Sequence, residues 1–210
     1  MFLTLNKKVG VHLRLANHIF IAEKASEIIE EHVGITFNKK LLQIGACMPD
    51  IQPLRRMQIH SPQLVGEHFD KEYKRIVFSD KKINRISFIL GLLSHYIADA
   101  FCLSHNIYTI DMKKHIQYEY LLNNYTSENK ISPKMNAWVE EQIHWIQQDN
   151  ITVPEYMEKM NQIYLDRIKD LTWEEIMSID LEQSILHSSA LLSYFIFELQ
   201  SIPVTAVSIA

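Results

Sequence analysis

Glycine and cysteine are scarce in this sequence, with five of the first and two of the second among 210 residues. Cys47 and Cys102 lie far apart and belong to no C-x-x-C pair. No disulfide framework is therefore expected, and buried free thiols are the expectation. Strand-like alternation of period two is also rare, and with so few glycines there are few tight hairpin turns, so a β architecture is not expected. Long apolar runs are missing too. None approaches the ~18 residues of a membrane span; the stretch over 86–93 is interrupted by Ser87 and Gly91. The opening MFLTLNKKVGVHLRL has no apolar core behind its basic residues. No signal peptide is expected, and the expected compartment is cytoplasmic. Finally, there is no excess of basic charge: the net charge is −4 and the pI about 6.2. No aromatic residues interleave with a basic patch. Broad capture of a polyanion is therefore disfavoured, and no stable nucleic-acid binding is expected. A bound dication would still attract phosphate locally, because it outweighs distant carboxylates.

What is present is a chain that is 47% apolar and 22% charged, enough to bury a sizeable core. Apolar residues recur at spacings of three and four, which predicts helices near 14–33, 38–46, 69–79, 81–103, 112–124, 132–149, 154–170 and 173–200. The expected fold is all-α, a single-domain multi-helix bundle spanning 1–210. Pro49, Pro53 and Pro62 punctuate an expected non-helical connection over about 47–67, long enough to suggest a functional role. Ser132 before Pro133 reads as a helix cap. Thr172 with Glu175 three residues on reads as a capping box, and Pro203 as a stop.

The chain also carries ten histidines. Within residues 91–105, GLLSHYIADAFCLSH, His95 and Asp99 stand four apart and share one helix face. Their neighbours on that face are apolar, so burying both unpaired is costly. A metal that takes the imidazole and the carboxylate removes the cost, and so does a His–Asp hydrogen bond within a core. Residues 114–121, KHIQYEYL, repeat the step with His115 and Glu119. His105 lies between the two pairs, at the expected end of the first helix. Together these are five nitrogen and oxygen donors from one helical hairpin, a set that suits zinc. His18 stands in an amphipathic helix, NHIFIAEKASEIIEEH. GACMPDI places Asp50 directly after Pro49 in an expected loop opening. EHFD puts His68 at an expected helix start, with His60 as its alternative. His12, His32, His144 and His187 have no partner pattern and are read as structural or surface residues. Tyr96, Tyr118 and Tyr120 are read as packing.

The order of these residues resembles the zinc-dependent phospholipase C family, all-helical enzymes with a trinuclear zinc cluster that are related to zinc-dependent single-strand nucleases. The resemblance covers about residues 11 to 122. It implies that Asp50, His68, His95 and Asp99 hold one zinc, that His105, His115 and Glu119 hold a second, and that His18 with a bridging Asp99 contributes to a third. The nucleases end the pattern with HxxxD, so Glu119 favours the lipase side. In the family the third zinc also takes an N-terminal tryptophan. No Trp lies upstream of His18, so either two or three Zn2+ ions are implied. The family's choline pocket uses an acidic and an aromatic residue where this sequence has Lys8 and Ile51. Choline recognition is therefore not implied, and an anionic or small-headgroup phosphoester fits equally.

The implied activity is hydrolysis of a phosphodiester, with a metal-activated water attacking phosphorus and Asp50 as general base. The expected substrate is a phospholipid or another phosphodiester. Peripheral membrane contact is expected through Met48, Ile51, Leu54 and Met57 beside Arg55 and Arg56, residues that pack equally well into a core. Two alternatives stand beside this reading: a zinc nuclease or other phosphoesterase, and a non-catalytic metal-binding helical protein.

Overall fold

A computed structural model describes the backbone of residues 2–52, 62–77, 82–106, 112–128 and 131–201, and most side chains in these segments from Leu15 onward. Every regular element among the described residues is helical. In chain order they are α1 (Phe2–Val33), α2 (Lys39–Ile51), α3 (Pro62–Val77), α4 (Ile83–Ala100), α5 (Leu103–Asn106), α6 (Met112–Glu128), α7 (Met135–Gln148), α8 (Val153–Ile168) and α9 (Trp173–Ser201).

The boundaries follow local chemistry. Asn38 caps α2, its side-chain oxygen accepting from the Leu41 N–H. Thr172 and Glu175 form the reciprocal bonds expected at the start of α9. Thr152 and Glu155 form a second capping box, at the start of α8. Gly34 adopts φ 67° and closes α1, its N–H bonded to the Glu30 carbonyl, a role that favours glycine.

Several expected boundaries move. Helix α1 begins at Phe2 rather than near residue 14. No proline interrupts this stretch, and extending a formed helix costs little. Ser132 does not cap α7. Its hydroxyl accepts from the Lys134 N–H in a turn, and the helix starts at Met135. The connection expected over 47–67 is helical at both ends, because α2 runs through Pro49 to Ile51 and α3 starts at Pro62. Proline in the last turn of α2 forfeits one bond without ending the helix there: the Gln52 N–H still reaches the Met48 carbonyl. Asp50 accordingly sits on the end of a helix, not in a loop. Residues 53–61, with Leu54, Arg55, Arg56, Met57 and His60, lie outside the described residues, as does Pro203.

Helix α4 is the central element. From Ile86 to Ala100 only Phe88 is not fully buried, the pattern of a helix covered on all sides. Its buried hydroxyls bond their own helix, Ser87 to the Ile83 carbonyl and Ser94 to the Gly91 carbonyl. Helix α2 packs closely along it, α3 and α9 cover it further, and α1 lies against α2, α4 and α9. Cys47 and Cys102 are buried free thiols, as expected.

His187 is buried on α9, stacked on Phe101 at 4.2 Å. Its Nε2–H donates to the Gln183 side-chain carbonyl, and Nδ1 lies 2.7 Å from the Tyr156 hydroxyl. Burial holds its pKa down to about 3. The neutral ring is thus favoured in the folded state. Its stability contribution is complete above the unfolded value of 6.5 and is lost as the pH falls from there toward about 3. Thermal melts between pH 7 and pH 4.5 should show a shallower loss of Tm for His187→Gln than for the wild type. Equal slopes would show that the ring charges freely in the fold.

Candidate metal centre

Asp99 is the hub of the site. It is 1% exposed on the last turn of α4, and imidazoles from three elements converge on it. His95, one turn earlier, places Nε2 3.2 Å from Oδ2. Helix α1, laid against α4, brings His18 Nε2 to 3.5 Å from Oδ1. The chain breaks at Phe101, turns, and in α5 returns His105 Nε2 to 3.4 Å from the same oxygen. The expected helix to residue 103 would have carried His105 onward along the α4 axis, so the break at Phe101 is what brings this donor in. His105 Nε2 also lies 3.5 Å from Glu119 Oε1, and His115 Nε2 is 2.7 Å from that oxygen.

Two groups of donor atoms result, His18 with Asp50 and His95, and His105 with His115 and Glu119. Within each group the atoms lie within 4.8 Å of one another. Asp99 bridges the groups. They open on a cavity of about 30 Å³, whose wall includes Asn17, His18, Asp50, His105 and Glu119, room for a water or an ion.

The imidazoles are oriented from behind. His95 Nδ1–H donates to the Ala46 carbonyl at 2.8 Å, and His115 Nδ1–H to the Ser104 carbonyl at 3.1 Å. With Nδ1 bonded to a carbonyl, Nε2 of each ring faces a carboxylate oxygen, at 3.2 Å for His95 and 2.7 Å for His115. Such an approach is favourable with a proton or a metal cation between nitrogen and oxygen, and a backbone carbonyl behind the ring is the usual support of a metal-bound histidine. His18 stacks on His95 at 3.7 Å, and its Nδ1 is buried without a hydrogen-bond partner among the described residues. This donor set fits zinc.

The protonation equilibria reflect the same crowding. Burial, and then the neighbouring His95 charge, hold His18 down at about 4 against the pull of Asp99 and Asp50. Burial also pushes His105 down, but Asp99 and Glu119 outweigh it and raise the ring to about 9. For His95, burial is offset by Asp99, Asp50 and the Ala46 carbonyl, and the net direction is up. Burial favours protonation of Glu119, yet its bonds to His105 and His115 keep it well below the usual carboxylate range. A field that holds a proton this strongly on His105 would hold a dication in its place.

His68 is a member of neither donor group. Its ring lies flat on Tyr96 at 3.7 Å, and Tyr96 meets His95 edge-on at 5.8 Å. Tyr96 and Tyr118 are buried and Tyr120 is exposed. The pattern of the sequence does not single out Asp180. It is buried on α9 in the wall of the same cavity, and burial lifts its carboxyl to about 6 against the hydrogen bonds it accepts. The available signal was a lone acid among Ile176, Met177, Ile179 and Leu181.

The sequence profile of the zinc-dependent phospholipase C family matches residues 12–174. The chain belongs to this family. Every candidate donor from His18 to Glu119 falls inside the matched span; Asp180 lies beyond it. The fold is similar to that of the Clostridium perfringens alpha-toxin isolated from avian strain SWCP. The TM-score is 0.63 at 16% identity, over 93% of this chain and 65% of the toxin chain. The chain therefore spans less than two thirds of the toxin's length, and at this identity the likeness speaks for the fold. No match is found among curated proteins. No helix among the described residues is long and apolar enough to cross a membrane.

Proposed function

We propose that this chain hydrolyses phosphodiester bonds in phospholipids. In this reading His18, Asp50, His95, Asp99, His105, His115 and Glu119 hold about two or three zinc ions. The observation that carries it is the convergence of His18, Asp50, Asp99, His105 and Glu119 on one cavity, with His95 and His115 completing the two donor groups and aimed by backbone carbonyls. When bound, zinc supplies Lewis acidity toward phosphoryl oxygens and lowers the pKa of water toward ~7. The chain's own residues do the rest. Asp99 joins the two donor groups with one carboxylate. Asp50, held at the end of α2, accepts the proton of the attacking water through an oxygen not engaged with a cation. Ile21, Ala98, Leu122 and Leu181 form the apolar part of the cavity wall, which strengthens the electrostatics inside.

Access to lipid is supported by α2. Ile44 and Ile51 are 48% and 56% exposed, and Met48 between them is half-buried. Their spacing of four and three puts all three on one face of the helix that carries Asp50, a surface suited to peripheral contact with a lipid layer.

The deciding experiment is elemental analysis before and after mild chelation, followed by assays on micellar phospholipid and on a short oligonucleotide. About two or three zincs per chain are expected, with lipid cleaved, the oligonucleotide untouched, and activity lost with the metal. Preferential cleavage of the oligonucleotide would replace lipid by nucleic acid as substrate. No zinc, and no activity on adding it, would leave the His–carboxylate pairs as core hydrogen bonds.

A further inference from the structure

We propose that Asp180 is a positioning residue that fixes the spacing of the two segments carrying His105, His115 and Glu119. The proposal rests on the zinc hydrolase reading above, and deepens it by naming what shapes the second donor group from behind.

Asp180 enters from α9 and is 1% exposed. Its carboxylate has no basic partner among the described residues and is held by hydrogen bonds instead, with the Cys102 thiol also beside it. Oδ2 accepts from the Leu103 N–H at 2.9 Å and from the Tyr118 hydroxyl at 2.7 Å. Oδ1 accepts from the Tyr164 hydroxyl at 2.7 Å. Both phenols act as donors, each hydroxyl aimed at an oxygen of the buried carboxylate. Short bonds to a buried carboxylate are of the strong, charge-assisted kind, and removing one partner leaves the others unsatisfied.

The placement of the first two donors matters most. Leu103 opens α5 two residues before His105, and Tyr118 immediately precedes Glu119 on α6. One oxygen of Asp180 therefore ties the backbone that presents His105 to the helix that presents Glu119 and His115. Asp180 bonds none of these three side chains; it acts through their neighbours. The turn is gripped from α8 as well, where the Asn161 side-chain N–H bonds the Ala100 carbonyl at 2.6 Å and Asn106 at 2.9 Å. Without Asp180, α5 and α6 would remain joined through His115 and the Ser104 carbonyl, and one of the proposed ligands would have to carry the spacing.

The test uses the zinc-loaded protein and its cobalt-substituted form. Asp180→Asn should stay folded and bind its weakest metal ion about 10- to 100-fold less tightly in chelator competition, the usual effect of losing an outer support. Its cobalt absorption bands should also shift. Tyr118→Phe should move both readouts in the same direction by less. Tyr164→Phe removes a bond to the other oxygen, from a helix that carries no proposed ligand. It should lower Tm and leave metal affinity and cobalt bands unchanged. A folded Asp180→Asn protein with wild-type affinity and bands overturns the proposal. So does a Tyr164→Phe protein that loses metal as readily as Tyr118→Phe, since that would mark a general packing role. If Asp180→Asn does not fold, Tyr118→Phe decides alone, and unchanged affinity overturns the proposal. A wild-type protein that binds no zinc overturns the hydrolase reading and this one with it, whereas a zinc-loaded, active wild type with insensitive variants overturns this one only.

Discussion

Asp99→Asn is expected to strip zinc from the protein and abolish phosphodiester hydrolysis in the same step. The substitution keeps the shape of the side chain and removes its charge. Three imidazole nitrogens lie within 3.5 Å of the two carboxylate oxygens, and an amide presents an N–H where one of those oxygens stood. Donor groups that share a carboxylate then share nothing. A metal supplies several kcal/mol of charge stabilisation to phosphoryl transfer, so kcat/KM should fall about 10³-fold or more. Stability should follow. A ligand at a thousand times its Kd contributes ~4 kcal/mol to the folded state, so the Tm of Asp99→Asn should drop toward that of the chelated wild type. Elemental analysis and thermal melts with and without chelator check this. An Asp99→Asn protein with its full zinc complement would show that Asp99 is only a core hydrogen-bond acceptor.

Much of this centre was legible because its parts repeat at helical spacing. His95 with Asp99, and His115 with Glu119, each stand four residues apart, so local geometry alone puts each pair together. His18 and Asp50 are different. They come from α1 and α2, and only the packing of those helices brings them to His95; their place in the series was read from the family resemblance. Asp50 reaches the site from a helix end, because a proline in the last turn of α2 was tolerated where a loop was expected. Asp180 was not legible. Its donors Leu103, Tyr118 and Tyr164 are scattered along the sequence at no regular spacing. An acid set between Ile179 and Leu181 gives no hint of what it faces. The helices themselves were legible from apolar spacing; their ends were less so, at Ser132 and Pro49, where one residue's chemistry decides, and also at the start of α1 and at Phe101.

Gly91→Ala should destabilise the protein although alanine is the better helix former. A Cβ on Gly91 would lie 2.0 Å from the Leu42 carbonyl oxygen and 2.8 Å from the Ala46 nitrogen, and a Cβ on Gly45 would lie 2.0 Å from the Phe88 carbonyl oxygen. Two glycines therefore let the backbones of α2 and α4 touch. Replacing a helical glycine by alanine gains at most ~1 kcal/mol of propensity. Overpacking typically costs about 1–3 kcal/mol, and more where the obstacle is backbone that no rotamer change can move. The clash wins. At about 2–4 °C per kcal/mol for a chain of this size, Tm should fall by roughly 5 °C or more. Gly66→Ala is the internal comparison. It meets the side chain of Pro154 at 2.5 Å, not a backbone oxygen, and should cost less. The effect should also reach the metal centre. The α2 segment pushed off by Gly91→Ala contains Ala46, whose carbonyl orients His95, and carries Asp50 at its end. Zinc content should fall along with Tm, even though Gly91 itself is no ligand. A Gly91→Ala protein as stable as the wild type would mean that α2 and α4 do not meet at these glycines. One that loses stability but keeps its zinc would mean that Asp50 and His95 are held in place by something other than this crossing.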